Sequence, residues 1–152
     1  MRLLGIDLGT SSVKVAVLDA GTGSCVASAQ YPDTENPILS LHQGWAEQSP
    51  EEWWHQVIAA IQRVMQNPDC KGQDIAAIGI AYQMHGLVCV DGDGKAVRNS
   101  TIWCDSRAVP YGEKAFQKIG PAKALEHLLN SPGNFTAAKL AWVKENETEN
   151  FK

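Results

Sequence analysis

Two stretches of alternating apolar residues, Leu3 to Leu8 and Val13 to Leu18, stand only four residues apart, and the four between them, Gly9-Thr10-Ser11-Ser12, are all small. A period of two is the strand period, with Leu4, Ile6 and Leu8 on one face and Asp7 on the other. A connection this short can only turn the chain straight back, so the two strands must pair antiparallel. Asp19-Ala20-Gly21-Thr22-Gly23 breaks the second stretch, and Cys25 to Tyr31 reads as a third strand. The chain therefore opens as an antiparallel meander.

Pro32 to Gln48 carries two prolines, a Gly-Trp pair and scattered polar residues, and reads as a loop. Ser49-Pro50-Glu51-Glu52 announces a helix, with Ser49 as N-cap, Pro50 at the first position and Glu52 closing a capping box. Trp54, Val57, Ile58, Ile61, Val64 and Met65 continue at helical spacing until Asn67-Pro68 ends it. Ile75 to Ala81 is a nearly continuous apolar run, which suits a strand covered on both faces. Gly86 to Val90 and Lys95 to Val97 flank Asp91-Gly92-Asp93-Gly94 as a hairpin, and Thr101-Ile102-Trp103 is a further short strand. Helices are expected over Arg107 to Ile119, Ala122 to Leu129 and about Thr136 to Glu145, followed by a polar stretch without a closing element. Together these predict an α/β fold that resembles ribonuclease-H-like domains, a mixed sheet with a three-strand meander and flanking helices.

With 152 residues, 44% of them hydrophobic, the chain has apolar material for one core. Its net charge of −4 and lack of any Lys/Arg run argue against nucleic acid or an anionic membrane as partner, since both require a basic face. No apolar stretch approaches membrane-spanning length. Cys25, Cys70, Cys89 and Cys104 are widely spaced without a Cys-x-x-Cys pair, as expected of reduced, half-buried thiols in a cytoplasmic protein.

The first turn has a chemistry of its own. Gly9 permits positive φ and a close approach of backbone to ligand. Thr10, Ser11 and Ser12 add hydroxyls and N–H groups that can form a concave nest for phosphate oxygens. Asp7, at the end of its strand, is placed to hold Mg²⁺ directly or through water, and Lys14 adds positive charge nearby. A hairpin whose small residues merely satisfy turn geometry is the plain alternative. Neither a Walker loop nor a dinucleotide-binding glycine loop is present.

Gly5-Ile6-Asp7-Leu8-Gly9-Thr10-Ser11-Ser12-Val13-Lys14 resembles the opening of the FGGY carbohydrate kinases, which belong to the superfamily of sugar kinases, actin and heat-shock chaperone ATPases. Four later blocks carry the resemblance along nearly the whole chain. Gly44-Trp45-Ala46-Glu47-Gln48-Ser49-Pro50 is similar to the family's Gly-Trp-x-Glu-Gln-x-Pro, in which an indole beside a Glu-Gln pair can wall a polyol pocket; for Trp53 and Trp54 simple packing is the better reading. Ala81-Tyr82-Gln83-Met84-His85-Gly86 resembles the Gly-x-Ala-x-Gln-Met-His-Gly block of the xylulokinase branch, and the resemblance implies that Met84 and His85 contact the sugar. Trp103-Cys104-Asp105-Ser106-Arg107 is similar to Trp-x-Asp-x-Arg, which implies Trp103 and Asp105 as further sugar contacts, with an Asp N-cap and an Arg salt bridge as the structural alternative. Gly133-Asn134-Phe135-Thr136-Ala137-Ala138-Lys139-Leu140-Ala141-Trp142 resembles a scaffold helix of the same branch. Tyr82 departs from the pattern, standing where a small residue is common, and so does Ser12, which is often glycine.

The resemblance implies an ATP- and Mg²⁺-dependent kinase whose partners are a small sugar and ATP, with D-xylulose giving the 5-phosphate as the foremost reaction. Another ketose or polyol, such as ribulose, or a non-catalytic sugar- or nucleotide-binding module on an actin-like scaffold, remains open. On this resemblance, residues 1–152 are expected to correspond to the N-terminal part of the first of two kinase domains. The general base, the second phosphate motif and the adenosine pocket belong to later parts of such kinases, so this stretch alone is expected to be inert. Surfaces that the rest of the first domain and the second domain would cover are expected to promote self-association.

Overall fold

Alternation along the first two strands places six apolar side chains on one face of a sheet; Leu4 and Ile6 of β1 (Arg2–Leu8) and Val13, Val15 and Val17 of β2 (Val13–Asp19) are buried, and Leu8 is half-buried. The computed structural model describes residues 1–151, which form two compact units. The first comprises Met1–Pro37 with Glu51–Gln83; the second comprises Ile38–Pro50 and the chain from Met84 onward.

In the first unit β1, β2 and β3 (Cys25–Tyr31) form the expected antiparallel meander. Asp19 holds the β2–β3 turn by accepting hydrogen bonds from the Gly21 and Thr22 N–H groups, which keeps its carboxyl below the usual carboxylate range. Helix α1 (Pro50–Val64) begins at the expected proline and carries Glu51 and Glu52 in its first turn, where the helix dipole favours negative charge. Its Ala60 and Val64 join Leu4, Ile6, Val13, Val15 and Val17 in one core cluster. Trp53 is buried as expected, whereas Trp54 is exposed, because the two adjacent positions point about 100° apart around the helix.

The run Ile75 to Ala81 does form a strand, β5 (Ile75–Tyr82), parallel to β1, and the sheet order is β3-β2-β1-β5. Residues 1–151 do not themselves supply the expected cover on both faces: Ile78, Ile80 and Tyr82 are 59%, 65% and 71% accessible. Among the described residues β5 pairs on one side only, and Ala60 and Val64 of α1 cluster with β1 and β2. An apolar edge strand of this kind templates pairing with another chain. Ile80→Lys is therefore expected to reduce concentration-dependent association of the 152-residue chain, measured by light scattering. Equal association of both forms would show that other surfaces drive it.

In the second unit, β4 (Glu47–Gln48) pairs antiparallel with β6 (Ser100–Thr101), so the expected loop contains a short strand and the expected strand at Thr101 starts one residue early. The Asp91–Gly94 turn is closed by a single bridge, Val90 to Ala96, rather than by a full hairpin ladder. Helices α2 (Val109–Ile119), α3 (Pro121–Leu128) and α4 (Thr136–Asn146) follow. Gly120, at φ +94°, breaks the chain between the first two, and Pro121 starts the second. The polar stretch after α4 is not featureless: Thr148–Phe151 forms one further helical turn, α5. The four cysteines are free, with Cys25 and Cys104 exposed rather than half-buried. No helix among the described residues is long and apolar enough to cross a membrane.

Candidate functional site

In the first unit, the four-residue turn Gly9–Ser12 joins strands whose last pair is Leu8 with Val13. One step back, Asp7 pairs in register with Lys14 on β2 and with Ala81 on β5. Leu4 and Ile6 take the face buried against α1, so Asp7 and Lys14 fall on the opposite face. There they border a groove of about 850 Å³ floored by small residues such as Gly5, Ala16 and Gly79. The strand end thus presents one exposed carboxylate and one exposed ammonium side by side.

The turn differs from the sequence expectation in two details. Gly9 is not at positive φ; a Cβ there would stand 2.9 Å from the Ser12 carbonyl oxygen, so glycine is required by the closeness of the turn itself. Ser12 is buried, which removes its side chain from the surface, while Ser11 is exposed and Gly9 and Thr10 are half-buried. The turn is braced from two sides: Thr10 Oγ1 donates to Gln83 Oε1 (3.2 Å), and the Asn36 N–H donates to the Ser11 carbonyl (2.7 Å).

The second unit contains the other predicted residues. Leu87 N–H donates to the Thr101 carbonyl (2.9 Å) in an antiparallel bridge. Two residues back from Leu87 is His85, and two residues on from Thr101 is Trp103, so this bridge brings the two segments alongside. Met84 is 65% and Trp103 50% exposed. His85 has φ +63°, a left-handed conformation uncommon for a residue with a side chain, and its ring stacks on Phe135 at 4.8 Å with an 11° interplanar angle.

Asp105 behaves differently. It is 0% exposed, and its carboxylate accepts from Ala46 N–H (2.7 Å), Arg107 N–H (3.0 Å) and the Arg107 guanidinium (2.7 Å at Nη2). Both oxygens face partners inside the unit, the arrangement of the structural alternative that the sequence offered beside a sugar contact. Arg107 also meets Glu47 at 2.7 Å, and Glu47 pairs with Arg98 at 2.6 Å. The guanidinium of Arg107 lies 3.7 Å from the Trp45 ring centroid and 5.0 Å from that of Trp142. Trp45 and Glu47 thus pack an ion-pair network rather than wall an open pocket. Gly44, at φ +79°, is fixed by this loop: a Cβ would meet Ser106 Oγ at 2.5 Å.

Sequence reasoning missed Lys139, which it placed in a scaffold helix. Lys139 is 1% exposed and donates to the carbonyls of Asn134 (2.7 Å) and His85 (3.0 Å). Burial pushes its pKa below that of an ordinary lysine, partly offset by Asp105. The available signal was its four-residue spacing from Val143, which puts both on the inward face of α4. Among the described residues no group of three His, Cys, Asp or Glu side chains could hold a metal. A lone carboxylate such as Asp7 fits Mg²⁺ that keeps its waters and shares phosphate ligands with a nucleotide.

The model of the FGGY family of carbohydrate kinases, N-terminal domain, matches residues 2–152. A xylulose kinase of Bacillus subtilis (strain 168) is 35% identical over 155 residues, covering 99% of this chain and 29% of that protein. Among solved structures, a xyloylose kinase from Brucella ovis superposes with a TM-score of 0.87 at 31% identity, over 99% of this chain and 30% of the other. A gluconate kinase from Lactobacillus acidophilus superposes at 0.82 with 28% identity, over 99% and 29%. The chain spans less than a third of the length of each of these three proteins. The ribonuclease-H-like α/β expectation agrees with these superpositions.

Proposed function

We propose, from the premise that this chain belongs to the FGGY family of carbohydrate kinases, that the protein carrying it transfers the γ-phosphoryl group of ATP to a hydroxyl of a small sugar, foremost D-xylulose to give the 5-phosphate. The observation that carries the reading is the turn of exposed Met84 and half-buried His85, on the segment that the Leu87–Thr101 bridge pairs with the one leading to Trp103, within a chain matched over 99% of its length by a xylulose kinase. The His85 ring nitrogens can hydrogen-bond sugar hydroxyls, Met84 and Trp103 offer apolar surface to the carbon chain, and Asp105 positions the loop.

Phosphoryl transfer demands little covalent chemistry from a protein and much positioning and charge compensation. In this reading Gly9, Thr10 and Ser11 cradle phosphate oxygens with N–H and hydroxyl groups, Ser12 supports the turn from below, and Lys14 adds a positive charge. Asp7 would hold Mg²⁺, whose contribution is to neutralise charge developing on the phosphates. The family resemblance assigns the proton of the accepting hydroxyl to a carboxylate that lies in a later part of such kinases.

The test is a coupled ADP-release assay on the full-length protein with a panel of ketoses, polyols and sugar acids. Met84→Ala and His85→Ala are expected to raise the sugar KM by about tenfold each, one lost polar or packing contact being worth about 1.4 kcal/mol. If neither constant moves, these side chains are scaffold and the sugar lies elsewhere. The structural likeness to a gluconate kinase favours a second reading, phosphorylation of a sugar acid, and the same panel separates the two. Absence of sugar-dependent ADP release with every acceptor would leave only a binding module.

A further inference from the structure

Resting on the reading of Met84-His85 as a sugar contact, we propose that Lys139 is a positioning residue for that contact, holding the turn in its sugar-facing shape together with Phe135 and Thr136. The turn needs holding. His85 sits in the left-handed region, where a side chain is disfavoured, so its surroundings must over-determine the conformation.

Three contacts from the start of α4 and the residue before it do so. Lys139 Nζ donates to the His85 carbonyl at 3.0 Å, and Thr136 Oγ1 donates to the next carbonyl, Gly86, at 3.1 Å. Phe135 stacks flat on the imidazole. Two successive carbonyls and the ring are therefore fixed from one segment, which sets both the path of the backbone and the direction of the side chain. An apolar residue of similar volume would fill the buried space of Lys139 without desolvating a charge. The lysine adds what such a residue lacks, a donor that reaches His85 and Asn134 at once.

The experiment uses the full-length kinase. Lys139→Met keeps the volume and removes the donor. It is expected to raise the sugar KM by about tenfold or more, because small displacements of positioning groups are costly, while the KM for ATP stays within about twofold. Selectivity between the ketose and an analogue lacking one hydroxyl should fall with it. A folded Lys139→Met protein with the wild-type sugar KM would overturn the proposal, as would equal losses in the sugar and ATP constants. If Lys139→Met does not fold, Thr136→Val and Phe135→Leu decide. A raised sugar KM at unchanged melting temperature in either supports the clamp, and wild-type constants in both reject it. A wild-type enzyme inactive on every acceptor instead removes the functional reading beneath it, which an active wild type with unaffected variants does not.

Discussion

Asp105→Ala should destabilise the second unit by about 3–5 kcal/mol, the usual cost of removing one partner from a buried ion pair. The carboxylate is fully buried, and Arg107 beside it has a side chain only 2% exposed. Without Asp105, the guanidinium keeps Glu47 but loses its bonds to both Asp105 oxygens, and the Ala46 N–H loses its acceptor. Several groups would then be buried with fewer partners, which costs more than the lost bond itself. Asp105→Asn should cost less, since the amide oxygen can still accept from Ala46. Urea unfolding followed through tryptophan emission is a direct measure, because Trp45 and Trp142 both lie against Arg107. An unchanged midpoint combined with a raised sugar KM in the intact kinase would return Asp105 to the sugar pocket.

Asp7→Asn should show the opposite signature. Asp7 is exposed at a strand end, so stability should stay within about 0.5 kcal/mol of wild type. If the proposed kinase reading holds and Asp7 holds Mg²⁺ against nucleotide phosphates, kcat of the full-length protein should fall roughly a hundred- to thousand-fold, the range for losing one preorganised electrostatic group. Excess Mg²⁺ should recover part of that loss, because the amide oxygen remains a weak ligand. A variant with near wild-type kcat across a Mg²⁺ titration would show that the metal is held elsewhere. Comparing the two substitutions separates an acidic residue that supports the fold from one that faces the chemistry.

The meander and α1 were legible because their signals are local. Strand alternation, short turns and the Pro50-Glu51-Glu52 start each lie within a few residues. The apolar run at β5 forms the strand of a mixed sheet that its residues predict, while residues 1–151 leave its faces open. Burial depends on which elements lie over a strand, and the run itself does not record that. Trp53 and Trp54 repeat the point on a helix, where one adjacent indole is buried and the other is exposed.

For the turn after β1, the sequence alone determined the tight connection, the choice of small residues and the placement of Asp7 and Lys14 on paired strands. Tertiary structure decided that Gly9 serves closeness rather than positive φ, and that Ser12 is buried while Ser11 faces outward. It also distinguished residues that look alike in sequence. Asp105 reads as a sugar contact or a structural ion pair, and Lys139 as part of a scaffold helix; both are buried, Asp105 because Arg107 and the Ala46 N–H compensate it and Lys139 because the carbonyls of His85 and Asn134 do. Two of those partners, Ala46 and His85, are 59 and 54 residues away along the chain. A charge can be buried only where such distant groups converge, and that convergence exists only once the chain has folded.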